Sequence, residues 1–213
     1  MLREAATHSS VPPEGRSTAP VPIESRALGT LSYIRASIDA AGSLAVPGMA
    51  GIVMGGIGML AAGLAATPSL AAYWLQIWLA AALVAFALGG TLMARQAARH
   101  GHTRQFAPFR KFLLCLCPAL FAGAVLTLVL WQAGMERLIP GTWLLLYGCA
   151  VMAASTVTGM LNMRLIGCMG AVFILLGLVS FAAPAGVHTL ILGLGFGALH
   201  LLFGILIRQR HGE

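Results

Sequence analysis

A histidine inside a long apolar stretch near the C-terminus is the side chain best suited to chemistry in a membrane. His200 follows Gly193 and Gly197 at helical spacing and precedes Gly204, so the four residues share one helix face. Small residues are typical of contacts between membrane helices, so we expect the imidazole to point into a helix bundle. There it either forms a hydrogen bond with a neighbouring helix, which we favour, or acts as a proton relay or as a metal or haem ligand.

Three hydroxyl side chains form a second candidate group. Ser155, Thr156 and Thr158 fall close together in the fourth apolar stretch. Such hydroxyls bond to their own helix backbone or to a neighbouring helix, and they can also line a polar path for a solute. With His200 they make up the predicted intramembrane polar site.

The remaining reactive residue types argue against catalysis. Two of the four cysteines, Cys115 and Cys117, are two residues apart and so point to different sides of a helix, which does not suit a tetrahedral metal site. We interpret all four, including Cys149 and Cys168, as small buried side chains. No phosphate-binding, dinucleotide-binding, zinc-protease or serine-hydrolase motif occurs. We therefore predict no metal, no cofactor and no enzymatic activity.

Six apolar stretches must position these side chains. The chain has 213 residues, of which 59% are apolar and 9% are charged, which excludes an ordinary water-soluble domain. A membrane-crossing helix needs about 20 mostly apolar residues. Six stretches qualify, and none contains a charged residue: 46–66, 73–94, 112–133, 142–161, 165–183 and 187–207. The predicted fold is all-α, a polytopic membrane protein built as a six-helix bundle over 46–207.

Basic residues predict the orientation of this bundle. Of the 13 Lys and Arg residues, 12 fall on one side of the predicted membrane and Arg137 alone falls on the other. Basic loops face the cytoplasm, so both termini are expected there. The four tryptophans lie near the opposite side, where we interpret them as interface anchors: Trp74, Trp78, Trp131 and Trp143.

Both ends of the chain differ from the bundle. Residues 1–25 are rich in Ser, Thr and Pro, and we predict a disordered cytoplasmic tail. Residues 26–45 carry apolar side chains at helical spacing, which is typical of an amphipathic helix at the membrane surface. Residues 208–213 are expected to form a short cytoplasmic tail.

Two further surfaces follow from composition. The first and sixth spans each carry a face of small residues: Gly51, Gly55, Gly58, Gly193, Gly197 and Gly204. Such faces favour close helix packing within the bundle or, alternatively, between two copies of the chain. The segment 95–111 holds five basic residues and no acid: Arg95, Arg99, Arg104, Arg110 and Lys111. We expect it to attract anionic lipid headgroups, with a protein partner as the alternative. No nucleic-acid-binding motif accompanies it, so nucleic acid is not an expected partner.

A set of short motifs resembles a family of uncharacterised bacterial multi-pass membrane proteins. The resemblance runs from about residue 30 to the C-terminus and rests on Tyr33-Ile34-Arg35, Ala45-Val46-Pro47-Gly48, Arg110-Lys111-Phe112, Pro140-Gly141-Thr142-Trp143-Leu144-Leu145-Leu146-Tyr147-Gly148 and Gly195-Phe196-Gly197-Ala198-Leu199-His200. It implies the six-span architecture and leaves the activity open. We predict a non-enzymatic protein of the bacterial inner membrane with an accessory, sensing or partner-binding role. The alternative is a small transporter or channel for a neutral or weakly charged solute.

Overall fold

The computed structural model describes residues 28–33, 47–99, 106–158 and 160–211. Contacts divide the chain into residues 1–37 and residues 38–213. In the first unit, 28–33 is helical and exposed, and the Ser32 hydroxyl donates to the Gly29 carbonyl at 2.9 Å. The predicted tail 1–25 lies outside the described residues, as do most of the predicted helix 26–45 and the end of the predicted tail 208–213.

In the described part of the second unit, six helices are long and apolar enough to cross a membrane, which confirms the predicted six-span, all-α architecture. They are α1 (Gly48–Ala66), α2 (Trp74–Arg99), α3 (Phe106–Gln132), α4 (Ile139–Ser155), α5 (Met160–Ala182) and α6, which starts at His188 and reaches His211. Inside α6, a π-helical segment Gly193–Leu199 separates the α-helical parts His188–Leu192 and His200–His211.

The fourth and fifth spans differ from the prediction. The fourth was expected over 142–161, but α4 runs from Ile139 to Ser155 and α5 begins at Met160. Pro140 falls in the first turn of α4, where the missing N–H breaks no helical hydrogen bond. At the other end, successive N–H groups from Thr156 to Thr158 donate to carbonyls three residues back, which tightens and ends the helix. Average hydropathy does not detect this local change in the hydrogen-bond pattern at the end of the helix.

Residues 95–111 lie between the predicted second and third spans, but α2 continues to Arg99 and α3 begins at Phe106. The end of α2 is rich in Ala, Arg and Gln, which favour helix, so the helix continues past its apolar part. Basic side chains at such ends can reach the headgroup region while the backbone stays helical.

Glycines bring α1 and α6 into direct backbone contact. A Cβ atom added at Gly55 would lie 2.6 Å from the Leu201 nitrogen, and one at Gly204 would lie 2.6 Å from the Ile52 nitrogen. Only glycine permits such proximity. The six glycines named from the sequence all lie at this contact, and the pairing is antiparallel because Gly48 meets Gly204 whereas Gly58 meets Gly197.

A second close contact joins α4 and α5. Added Cβ atoms at Gly148 and Gly170 would each lie 2.8 Å from the carbonyl oxygen of the other glycine. Gly177 meets Gly141 and Leu145 in the same way, so these helices are also antiparallel. Two glycine-mediated pairs, α1–α6 and α4–α5, therefore form the closely packed part of the bundle.

Adjacent glycines of α1 provide a matched test of this packing. We expect Gly55→Ala to lower the free energy of unfolding by about 1–3 kcal/mol, because the new methyl group collides with α6 backbone. Gly56→Ala is the control, since nothing lies within 4 Å of a Cβ there. Unfolding in mixed micelles measures both. Equal stabilities of the two variants would contradict the α1–α6 contact.

Candidate intramembrane polar site

His200 lies in the interior of the bundle, with only 4% of its surface exposed. Its Nε2 atom is 2.7 Å from the Tyr147 hydroxyl of α4. The imidazole thus points into the bundle as expected, but toward α4 and α5, whereas Gly193, Gly197 and Gly204 face α1. The π-helical segment between Gly193 and His200 changes the helical phase, so the four residues do not share the single face that regular α-helical spacing predicts.

The hydroxyl of Tyr147 indicates the tautomer of the imidazole. Among the described residues its hydrogen-bond partner is Nε2 of His200, and we assign the donor role in this bond to the hydroxyl. Nε2 is then the acceptor, and the ring proton lies on Nδ1, which is buried and has no hydrogen-bond partner among the described residues.

Phenylalanine rings from two helices, α5 and α6, enclose this pair. The Tyr147 ring centroid lies 4.9 Å from that of Phe173 and 5.2 Å from that of Phe196. The imidazole centroid lies 5.4 Å from Phe173, and Phe173 itself is fully buried. These distances are those of favourable aromatic contacts. Apolar rings therefore surround the hydrogen bond between Tyr147 and His200. We refer to the four rings of Tyr147, Phe173, Phe196 and His200 as the aromatic cluster.

Tryptophans extend the cluster toward the end of the bundle where α2 and α4 begin. Trp78 is 3% exposed and packs on Phe196 at 6.4 Å between ring centroids. Trp74 and Trp143 stack at 6.1 Å with an interplanar angle of 8°. The expectation that all tryptophans anchor the interface is therefore wrong for Trp78, which is a core residue. Its position four residues after Trp74 places both rings on the inward face of α2.

Indole hydrogen bonds connect further helices. Trp74 Nε1 donates to Thr189 Oγ1 of α6 at 2.9 Å. Trp143 Nε1 donates to Thr127 Oγ1 of α3 at 2.7 Å. Trp78 Nε1, by contrast, is buried without a partner among the described residues. Hydrogen bonds between helices stabilise a bundle because the surrounding hydrocarbon offers no other partner.

The hydroxyl cluster does not join His200. Ser155 donates to the Met152 carbonyl at 2.7 Å, and Thr158 donates to the Ser155 carbonyl at 2.6 Å. Thr156 likewise donates to the Ala153 carbonyl at 2.7 Å. These hydroxyls cap the end of α4, about 12 Å along the helix from Tyr147 at 1.5 Å per residue. They have a local structural role, and the partner of His200 is a tyrosine that sequence reasoning did not single out.

The cysteines occupy positions other than those expected. Cys117, Cys149 and Cys168 are exposed at the bundle surface, and Cys115 is half-buried, so the prediction of buried side chains is wrong for three of the four. Apolar helices expose such small side chains readily when the solvent is lipid. Across the described ranges, no three His, Cys, Asp or Glu side chains are grouped so that they could hold a metal ion.

The basic residues of segment 95–111 lie at the end of the bundle opposite the stacked tryptophans. Arg95 in the last turns of α2 is exposed, as are Arg110 and Lys111 near the start of α3. Arg99 is the last residue of α2, and Arg104 lies outside the described residues. The described side chains thus form a charged rim around helix ends.

Comparison of the chain with protein-family models, with curated proteins and with solved structures gives no match in any of the three.

Removal of one hydroxyl tests the buried pair. Tyr147→Phe leaves Nε2 of His200 without a donor, and we expect it to lower the free energy of unfolding by about 1–3 kcal/mol. Tyr73→Phe is the matched control, because the Tyr73 side chain is 58% exposed. A double-mutant cycle with His200→Leu, followed in mixed micelles, isolates the pairwise coupling. Additive effects of Tyr147→Phe and His200→Leu would show that the two side chains do not interact.

Proposed function

We propose that the protein is a non-enzymatic integral protein of the bacterial inner membrane with an accessory, sensing or partner-binding role. The observation that carries this proposal is the closed state of the intramembrane polar site. His200 is 4% exposed and bonded to Tyr147 inside the aromatic cluster. A catalytic or proton-transferring imidazole must be accessible to substrate or water, and this one is enclosed by the rings of Phe173 and Phe196.

Surfaces for partners lie on the outside of the bundle. Only 17% of the most apolar window is buried in each of the second and third spans, against 50% in the fourth and sixth. Among the six described spans, α2 and α3 are therefore the least buried, and their outer faces are open to lipid, to a membrane-embedded partner or to a second copy of the chain. This distribution supports a role based on contacts rather than on an internal path.

Charge supports an orientation with both termini in the cytoplasm. Arg95, Arg110 and Lys111 are exposed at one end of the bundle, and Arg137 is at the other. Anionic lipids attract such residues by about 1 kcal/mol each. The basic end of α2 and α3 then contacts anionic headgroups of the cytoplasmic leaflet.

A transporter or channel for a neutral or weakly charged solute is the second candidate. One observation favours it: the π-helical segment Gly193–Leu199 directly precedes His200, and π-helical turns often occur at functional sites. Two buried nitrogens nearby, His200 Nδ1 and Trp78 Nε1, have no partner among the described residues. A path here requires the rings of Phe173 and Phe196 to move apart.

Solute flux into liposomes distinguishes the two candidates. Because the aromatic cluster leaves no open path beside His200, we expect reconstituted protein to give the same flux as empty liposomes. The assay covers a panel of glycerol, urea, neutral amino acids and ammonia. Wild type is compared with His200→Ala. Protein-dependent flux that is lost in His200→Ala would contradict the accessory role and establish the transport alternative.

Cysteine labelling in intact cells tests the proposed orientation. In a background where the four native cysteines are replaced by serine, a membrane-impermeant maleimide should label Met135→Cys but not Gln105→Cys. The expected difference follows from the excess of basic residues around position 105. Both positions should react after the cells are permeabilised. Labelling of Gln105→Cys in intact cells would reverse the topology.

A further inference from the structure

A cavity of about 330 Å³ opens at the end of the bundle where α2 begins, α3 ends and α4 begins. Its walls include two indole rings, Trp74 and Trp131, and two polar side chains, Gln76 and Glu136. Sites for small molecules have volumes of about 300–1,000 Å³, so this cavity accommodates a small ligand or part of a larger one. It lies at the opposite end of the bundle from Arg95 and the rest of the charged rim, where the tryptophans extend the aromatic cluster.

The carboxylate in this cavity has no equivalent elsewhere in the bundle. Glu136 is the only Asp or Glu between Asp39 and Glu213. It opens the 3-10 turn Glu136–Leu138 that leads into α4, where a negative charge also interacts favourably with the helix dipole. That structural role requires an acid near the start of the helix, but it does not require aromatic walls beside it.

The two indoles present aromatic surface to the cavity. Trp74 is held in place by its stack on Trp143 and by the 2.9 Å hydrogen bond from its Nε1 to Thr189. Since that N–H is the only donor of the side chain, what Trp74 offers a ligand is its π system. Trp131 is 55% exposed, so its ring is also accessible.

Aromatic faces beside a carboxylate attract a cation and repel an anion. The face of an indole carries negative electrostatic potential and is the best side chain for cation–π contacts. Arg137, the residue after Glu136, is exposed and is not part of the cavity wall. We propose that this cavity binds an organic ammonium group, carried either by a soluble amine or by the headgroup of a zwitterionic lipid. This site is independent of the accessory role proposed above.

Titration of the full-length, lipid-depleted protein in detergent with tetramethylammonium chloride tests the site. Isothermal calorimetry should detect saturable binding that sodium chloride at the same ionic strength does not give. Glu136→Gln and Trp131→Leu should each weaken it at least about fivefold. Arg137→Gln, the matched neighbouring control, should bind at least as well as wild type. The proposal is overturned if no saturable binding is found, or if Glu136→Gln and Trp131→Leu both bind as well as wild type.

Two further measurements follow. The first distinguishes a soluble amine from a lipid headgroup as the source of the ammonium group, and the second tests whether Glu136 has only a structural role. In nanodiscs of phosphatidylglycerol alone, added tetramethylammonium should bind in either case. When phosphatidylcholine is included, binding persists if the ligand is a soluble amine and is lost if the lipid headgroup occupies the cavity. A Glu136→Gln variant with a lower melting temperature but unchanged binding would show that Glu136 serves only to start α4, and would overturn the proposal.

Discussion

Direct backbone contact between α1 and α6 is the constraint on which the interior arrangement depends. Lipid gives apolar helices little reason to associate, so close packing requires small residues that let two backbones touch. Gly51, Gly55 and Gly204 meet this requirement. Once this face of α6 is held against α1, the opposite face must point toward α4 and α5. The imidazole of His200 therefore reaches the bundle centre, where the second glycine-mediated pair supplies Tyr147 and Phe173.

The second requirement of hydrocarbon is that polar groups find partners inside the protein. The Tyr147–His200 hydrogen bond, the indole bonds of Trp74 and Trp143, and the hydroxyl caps at the end of α4 all meet it. Hydrogen bonds between membrane helices average only about 0.6 kcal/mol each. They contribute as much to the specificity of the fold as to its stability, because each one fixes the rotation of a helix about its axis. Two buried nitrogens, Trp78 Nε1 and His200 Nδ1, have no partner in the part of the chain that the structure describes, so they do not meet this requirement there.

The number of spans and the glycine faces could be predicted because both depend only on local sequence patterns. Apolar length reveals a span, and spacing of three or four reveals a face, as with Gly193 and Gly197. The partner of His200 could not be predicted, because it depends on how far one helix is rotated and shifted relative to another. The π-helical segment adds to this difficulty by changing the phase of α6. The end of α4 was missed because side-chain and backbone hydrogen bonds, not hydropathy, decide it.

His200, the histidine in the middle of the described bundle, is enclosed by apolar rings and bonded to a tyrosine. The most direct measurement is solid-state NMR of the protein in bilayers with ¹⁵N-labelled histidine, combined with polarisation transfer from water. We expect an Nδ1–H tautomer for His200, an Nε2 shift that changes in Tyr147→Phe, and no transfer from water. Strong transfer from water to the His200 ring, with an Nε2 shift indifferent to Tyr147→Phe, would contradict it.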